Sequence, residues 1–312
     1  MAQIILTIIV VAGVGFMLYR AHLEDKAAKA KIAGRRPQRR QPDPNDTRDW
    51  PAIVAKATEL AELQQKPAVA LQVSDDQPGD GPQSCIGGRP SLPQGMSWPA
   101  DANGKPMLFL AQINFAEMPA IDGYPREGLL SFFVMDDDLN GSEFPSVGDK
   151  RFQVHFFEET KDLVRAPFPI KTWEYAPMSN LLVQEGRVLK GHQSAGPLSA
   201  NSYQVADMTR DWYPNCPTDL WDAFGDELLQ AKPSPIYYGG HPDFIQQDIR
   251  HPQGDPDYTP YSEVLLQMGF LQTKDRTIEV CWGDAGEACF LITKEDLAAR
   301  RFDRVLYSWD CG

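Results

Sequence analysis

The side chains best suited to chemistry gather in one polar stretch of the second half of the chain, which contains His241, Gln246, Asp248, His251, Asp255 and Asp257. Such groups supply the nitrogen and oxygen ligands that divalent metals take in proteins. Neither the HExxH nor the His-x-His spacing occurs, however, and the stretch is rich in proline and glycine. A solvated polar loop is therefore the favoured interpretation, and no metal site is predicted.

Asp284 is a second candidate, because the turn Gly283-Asp284-Ala285-Gly286 would project its carboxylate. If the chain is an enzyme, we expect Asp284 or the loop from His241 to Asp257 to provide an acid, a base or a metal ligand. The chain contains no Walker loop, dinucleotide fingerprint or GxSxG motif. We therefore assign no catalytic residue and no cofactor, and a non-catalytic role is favoured over an enzymatic one.

Gln112 and Gln267 occupy equivalent places in two apolar strand-like segments. A buried carboxamide needs several hydrogen bonds. The two side chains could face a shared cleft, or each could tie its strand to a neighbouring loop, which is the favoured interpretation. Together with His241, Gln246 and Asp284 they form the set of candidate ligand-contacting residues.

The elements that must position these residues are mostly strands. Short apolar runs separated by turn signals predict strands at 107–115, 128–135, 152–157, 180–184, 264–270, 278–283 and 288–293. One helical pattern begins near Asp49, and two others cover Thr218 to Gln230 and Lys294 to Arg300. The expected fold class is α+β, with mostly antiparallel sheets and a few helices.

Three blocks of sequence recur in the same order. The first set is Gly87–Pro90, Leu110–Ile113 and Gly128–Val134, and the second is Gly239–Pro242, Leu265–Met268 and Gly286–Ile292. Both intervals between blocks are three residues longer in the second set. This pattern indicates a duplication, with copies at about 85–140 and 236–300 packed into one pseudo-symmetric body.

An apolar run, Ile4 to Tyr19, opens the chain without a preceding charge or a following small-x-small cleavage site. This favours an uncleaved transmembrane anchor at 1–20 over a signal peptide. Residues 1–44 hold eight basic and three acidic side chains. Positive flanks stay on the cytoplasmic side. We therefore expect a single-pass protein of the cytoplasmic membrane that contacts inner-membrane lipid through residues 4–40, with a basic, Pro-rich, flexible tether at 21–48 and its C-terminal domain in the cytoplasm.

Composition limits the partners. The 312 residues carry a net charge of −13, and those after residue 44 hold 22 basic and 40 acidic side chains. Such a balance argues against nucleic acid, whose phosphates recruit Lys and Arg. The rival reading of Arg35 to Arg40 as a nucleic-acid tail is less favoured than lipid contact. Five cysteines without a CxxC pair suit a reducing compartment.

Several blocks resemble the YwqG-like family, a bacterial domain of uncharacterised function. They are Ile86–Pro93, Trp98-Pro99, Phe109–Asn114, Gly128–Phe133, Gly239–Gln246 and Trp282–Gly286. The resemblance runs from about residue 50 to the C-terminus and implies a duplicated α+β body over residues 49–312. It transfers no catalytic residue. Family members are generally soluble, so the predicted anchor departs from the family's pattern.

The sequence thus favours a protein-binding module with an acidic surface that takes a basic protein partner, in an immunity-like or scaffolding role. The alternatives are a hydrolase that uses a cleft between the two copies, and a passive structural protein of the cell envelope.

Overall fold

The computed structural model describes residues 43–170 and 172–312. Their described parts divide into a small unit, 43–47 with 211–216, and a large unit that holds the rest. In the small unit, the Asp43 N–H donates to Asn215 Oδ1 at 2.7 Å. The predicted anchor at 1–20, the predicted lipid contacts at 4–40 and residues 21–42 of the predicted tether lie outside the described residues.

The large unit contains the α-helices α1 (Trp50–Glu62), α2 (Asn180–Glu185), α3 (Tyr203–Met208), α4 (Thr218–Gln230) and α5 (Lys294–Ala298). Side chains cap three of them, and at the start of α3 Ser202 Oγ accepts from the Val205 N–H at 3.2 Å. Asp49 accepts from the Ala52 N–H at 3.2 Å at the start of α1, and Thr293 accepts from the Asp296 N–H at 3.0 Å at the start of α5. Each cap satisfies a main-chain donor that the first turn leaves without a partner.

The predicted strand at 180–184 is wrong, because these residues form α2. A short apolar run does not distinguish a strand from a buried helix by periodicity. Here Gly186 ends the helix with φ of 70° and donates its N–H to the Leu182 carbonyl oxygen, a helix end that favours glycine.

The strands are β1 (Lys66–Val73), β2 (Cys85–Ile86), β3 (Ser91–Pro93), β4 (Leu108–Asn114), β5 (Leu129–Val134), β6 (Ser146–Val147), β7 (Phe152–Phe157), β8 (Leu163–Arg165), β9 (Arg187–Gly196), β10 (Ile236–Gly239), β11 (Glu263–Met268), β12 (Leu271–Gln272), β13 (Glu279–Val280), β14 (Glu287–Ile292) and β15 (Leu306–Asp310). Eleven of them form one antiparallel sheet in the order β6-β15-β14-β11-β10-β1-β9-β2-β4-β5-β7. β3 pairs with β8 and β12 with β13.

The large sheet curls back on itself. Its two end strands, β6 and β7, follow each other in the chain and are joined by Gly148 to Arg151 alone. Aromatic rings from the two ends of the strand order pack together, with Phe152 of β7 and Tyr307 of β15 at a centroid distance of 5.1 Å. The main apolar core therefore lies inside the curl, which buries one face of many strands.

The repeated blocks occupy matching places in this sheet. Register shifts between Phe109 and Ala111 in the β4–β5 pair, and between Val264 and Leu266 in the β11–β14 pair. Both irregularities fall two residues before the repeated glutamine. In each pair that glutamine lies opposite the third residue of the partner strand, Gln112 opposite Ser131 and Gln267 opposite Cys289.

The expected fold class, an α+β body of two packed copies behind one transmembrane helix, is wrong. The structure is a mostly antiparallel fold with few helices, built round a single 11-stranded sheet. Within residues 43–170 and 172–312, no helix combines the length and the apolar composition that a bilayer crossing requires. Against the expectation of a single-pass protein of the cytoplasmic membrane, the described part of the chain thus provides no spanning helix.

Candidate functional site

The two repeated glutamines are fully buried and are bound in similar ways. Gln112 Oε1 accepts from the Ser91 N–H at 2.8 Å, and its Nε2 donates to the Gln83 carbonyl oxygen at 2.7 Å. Gln267 Oε1 accepts from the Asp243 N–H at 3.2 Å, and its Nε2 donates to the Asp243 carbonyl oxygen at 3.1 Å. Each carboxamide thus ties its strand to the chain just after a Gly-Gly turn, as the loop-tying interpretation requires.

Four strands separate β4 from β11 in the sheet. Each glutamine bonds within its own copy, and neither lines the cavities described below. The structure therefore does not bring the two side chains together at a shared site.

A buried cluster of charges surrounds Gln267 but not Gln112. Lys232 Nζ lies 2.7 Å from Glu287 Oε1 and forms a second ion pair with Asp243. Gln267 Nε2 also donates to Glu287 Oε2 at 2.9 Å, and the Ser199 hydroxyl donates to Asp243. The Asp243 and Glu287 side chains are only 6% and 9% exposed. Burying charges costs free energy unless they are well paired.

The first copy performs the same structural task without charges. Ser91 stands where the second copy has Asp243, and Leu129 stands where it has Glu287. The fold therefore does not require the carboxylates of the second copy. Sequence reasoning missed this cluster, although one signal was available: Glu287 opens a strand whose remaining residues are all apolar.

His241 lies beside this cluster and is held by main-chain groups. Its Nε2 donates to the Gln64 carbonyl oxygen at 2.6 Å, and its own carbonyl oxygen accepts from the Tyr237 hydroxyl at 2.7 Å. Burial lowers the pKa of His241 to about 4, although the bond to Gln64 raises it. The ring is therefore neutral at physiological pH.

Gln246 and Asp284 lie near the end of the chain instead. The Gln246 N–H donates to Asp310 at 2.7 Å and its Nε2 donates to the Cys311 carbonyl oxygen at 2.8 Å. Asp284 is exposed in its turn, and its main-chain carbonyl oxygen accepts from the Gly312 N–H at 3.3 Å. The five candidate residues therefore lie at three separate places. Gln112 lies at the first, Gln267 and His241 share the second, and Gln246 and Asp284 share the third.

The polar loop also has structural contacts. Asp248 and Arg250 form a buried ion pair, with Arg250 Nη2 at 2.6 Å from Asp248 Oδ2. The Arg250 guanidinium lies over the rings of Tyr203 and Phe244. Among residues 43–170 and 172–312, no group of three or more His, Cys, Asp or Glu side chains is arranged to hold a metal ion.

An open, partly apolar groove of the large unit flanks Ser234 and Pro235. One cavity of about 240 Å³ lies between these residues, β1 and the β12–β13 hairpin. A second cavity of about 290 Å³ lies on their other side, against Leu229, Phe270, Lys232 and Glu287. Both cavities share Ser234 and Pro235, and we call them together the Pro235 groove. Leu229 is 53% exposed and Phe270 is 42% exposed at its rim.

One wall of the Pro235 groove is an open strand edge. β1 pairs with β9 over all its residues, Lys66 to Val73, but with β10 only over Ala68 to Ala70. The Gly240 N–H donates to the Pro67 carbonyl oxygen, whereas the Ser74 N–H donates to Val188. Because main-chain groups alternate between the two edges of a strand, odd-numbered residues of β1 face the β10 side.

Leu71 and Val73 therefore direct main-chain groups to the place where β10 would continue. Continuation of the β1–β10 register places Ile236 opposite Leu71, but the Ile236 N–H donates to Ser234 Oγ at 3.1 Å instead of to β1. The edge of β1 is consequently left without a strand partner along the groove.

Helix α4 lies just before this region and is acidic. Asp219, Asp222, Asp226 and Glu227 are all exposed, and the helix contains no Lys or Arg. Its buried side chains, Phe224 and Leu228, lie on the opposite face from Asp222 and Asp226. Leu229, at the rim of the groove, belongs to the last turn of this helix.

Comparison with protein families gives one match. The model of DUF1963, a domain of unknown function, matches residues 84–311. The matched range contains all the sequence blocks singled out above and both Gly-Gly turns. The comparison with curated proteins gave no match.

Proposed function

Because the chain belongs to the DUF1963 family, an uncharacterised domain family, we propose that it is a non-catalytic protein-binding module. The occupant is an extended, basic segment of a partner protein that lies in the Pro235 groove. A YwqG-like identity for this domain is part of the proposal and is supported by the order of the blocks from Ile86 to Gly286.

The observation that carries this proposal is the open edge of β1 beside an apolar groove. An extended segment that adds to a free strand edge gains main-chain hydrogen bonds, and pockets beside the edge select its side chains. Here the Leu71 carbonyl oxygen and the main-chain groups of Val73 face the groove, and the cavities on either side of Pro235 offer the pockets.

Charge supports a basic occupant. Helix α4 presents four acidic and no basic side chains before the groove, within a body that holds 22 basic and 40 acidic residues after residue 44. Electrostatic complementarity of this kind raises the rate of association and suppresses wrong partners.

The test uses the full chain and a library of seven-residue peptides that differ in basic content, with binding measured by fluorescence anisotropy at low and high salt. We expect basic peptides with apolar residues at alternate positions to bind, and higher salt to weaken them. Equal binding at both salt concentrations, or a preference for acidic peptides, contradicts the proposal.

Val73→Pro is the sharpest variant. It removes an N–H that faces the groove and leaves the β1–β9 hydrogen bonds in place, so peptide affinity should fall at least tenfold. Val73→Ala keeps the N–H and serves as its control. Phe270→Ser should also weaken binding, whereas Phe144→Ser, at a side chain 69% exposed elsewhere, should not. Peptides that bind Val73→Pro as tightly as the natural chain would show that no strand is added.

A further inference from the structure

A further cavity, which shares no lining residue with the Pro235 groove, lies at the first Gly-Gly turn. Its volume is about 260 Å³ and its lining is polar: Gln77, Pro78, Arg89, Arg165, Gln184 and Glu185. We call it the arginine cavity. Its volume lies just below the roughly 300 Å³ at which the range of small-molecule sites begins.

Three contacts hold the guanidinium of Arg165 in place. Its Nε donates to the Gly79 carbonyl oxygen at 2.9 Å, and its Nη1 donates to the Arg89 carbonyl oxygen and to Cys85 Sγ, the latter at 3.4 Å. Its Nη2 is buried and has no acceptor among the described residues. Leaving a buried charged donor without a partner costs free energy.

Arg187, beside the cavity, likewise has a buried guanidinium nitrogen without an acceptor among the described residues. Its Nη1 donates to the Gly186 carbonyl oxygen at 2.6 Å and to Glu185 Oε2 at 3.2 Å, but its Nε is buried without an acceptor in the described part of the chain. Glu185 also accepts from Gln77 at 2.6 Å. The one carboxylate of the cavity is thus already engaged.

The charges of Arg89 and Arg165 are not neutralised locally. Within residues 43–170 and 172–312, neither guanidinium lies within ion-pair distance of a carboxylate. With Arg187 and Glu185 included, the cavity and its margin carry an excess of positive charge, in a chain whose net charge is −13. Planar guanidinium groups match oxyanions through paired hydrogen bonds.

The second Gly-Gly turn, at Gly239 and Gly240, has no comparable cavity among the residues that the structure describes. There His241 stands in the position of Arg89, and its ring nitrogen is bound to Gln64. The cavity beside it, lined by Leu228, Lys232 and Tyr237, has a volume of only about 10 Å³. The first turn is therefore open and cationic where the second is filled.

We propose that the arginine cavity binds a small molecule through an oxyanion group, either a carboxylate or a phosphate. Arg165 receives the oxyanion from a fixed position, and the exposed side chain of Arg89 closes over it. This site is independent of the proposed peptide groove, since the two share no lining residue.

The experiment is isothermal titration calorimetry of the full chain with inorganic phosphate, sulfate and succinate at constant ionic strength. We expect saturable one-to-one binding of at least one probe. Stronger binding of phosphate and sulfate would identify a phosphate-type ligand, and stronger binding of succinate a carboxylate-type ligand. Heat changes that do not saturate for any of the three probes overturn the proposal.

Arg89→Ala should weaken binding at least tenfold, and Arg165→Lys, which keeps the charge but loses the planar fork, should also weaken it. Arg126→Ala is the matched control, because Arg126 is exposed and pairs with Asp122 instead. Equal weakening by Arg89→Ala and Arg126→Ala would show only a general charge effect and would also overturn the proposal. An unchanged melting temperature of Arg89→Ala establishes that the variant is folded.

Discussion

The rings of Phe132 and Phe290 lie with their centroids 5.0 Å apart and their planes inclined by 58°. Phe132 belongs to β5 and Phe290 to β14, at the same position of the two repeated blocks, and both side chains are fully buried. Because β5 and β14 lie toward opposite ends of the strand order, this contact closes the curl of the sheet.

Phe132→Ala and Phe290→Ala should each lower the free energy of unfolding by about 3–5 kcal/mol, since each leaves a cavity in the core. In the double variant we expect a loss smaller than the sum, by about 0.5–3 kcal/mol, because the first substitution already removes the shared contact. Urea unfolding of the four proteins measures this. Phe144→Ala, at an exposed ring, should change stability by no more than about 0.5 kcal/mol. Strictly additive losses would mean that the rings do not stabilise each other.

Gly87 cannot be replaced by a larger residue, because its backbone conformation favours glycine and because a side chain would clash. Its φ is +64°, and a Cβ built there would lie 2.0 Å from the Leu182 carbonyl oxygen at the end of α2. Gly87→Ala should therefore destabilise the protein by more than about 2 kcal/mol, or prevent folding. Gly95→Ala is the control, since Gly95 has φ of +84° but nothing within 4 Å of the added methyl group. Thermal unfolding of both variants separates the cost of the clash from the cost of φ, and equal melting temperatures would refute the clash.

The contributions of Lys232, Asp243 and Glu287 to stability should depend on one another. Lys232→Met leaves Asp243 and Glu287 buried without their cation and should cost about 3–5 kcal/mol of stability. The triple variant Lys232→Met, Asp243→Ser, Glu287→Leu carries the serine and leucine that the first copy has at the matching positions, and should recover most of that loss. Chemical denaturation measures both, and a triple variant no more stable than Lys232→Met would show that the second turn needs its charges to fold.

His241 should make stability fall at acidic pH. Burial lowers its pKa from 6.5 to about 4 in the folded chain, so between these values the unfolded chain takes up a proton that the folded chain does not. Stability is therefore full above about pH 6.5 and declines as the pH falls toward 4, by about 1–3 kcal/mol. Burial also lowers the pKa of His155, which adds a decline of the same sign.

Comparison of His241→Gln with the natural chain between pH 4 and 7 tests this, with the free energy of unfolding measured at each pH. The variant should show a flatter profile over that range. His192→Gln, at an exposed ring bonded to Gln72, should keep the natural slope. Parallel profiles for the natural chain and His241→Gln would assign the acid sensitivity to other groups.

Local patterns in the sequence were enough to predict the helices that begin near Trp50 and Thr218, most strands from Met107 onward and the repeated blocks, because these depend on periodicity and on caps a few residues away. The matching places of Gln112 and Gln267 also follow from block order and spacing. The helix at Asn180–Glu185 could not be predicted in this way, since its run of apolar residues is too short to distinguish helix from strand.

Only the tertiary structure determines which polar side chains contact one another. Lys232, Asp243 and Glu287 come from a loop, a turn and a strand, and the arginine cavity joins residues that are up to 108 positions apart. The open edge of β1 likewise depends on where a strand from the other half of the chain stops. Pairing between distant strands sets these contacts, and such pairing is not encoded in any local pattern of residues.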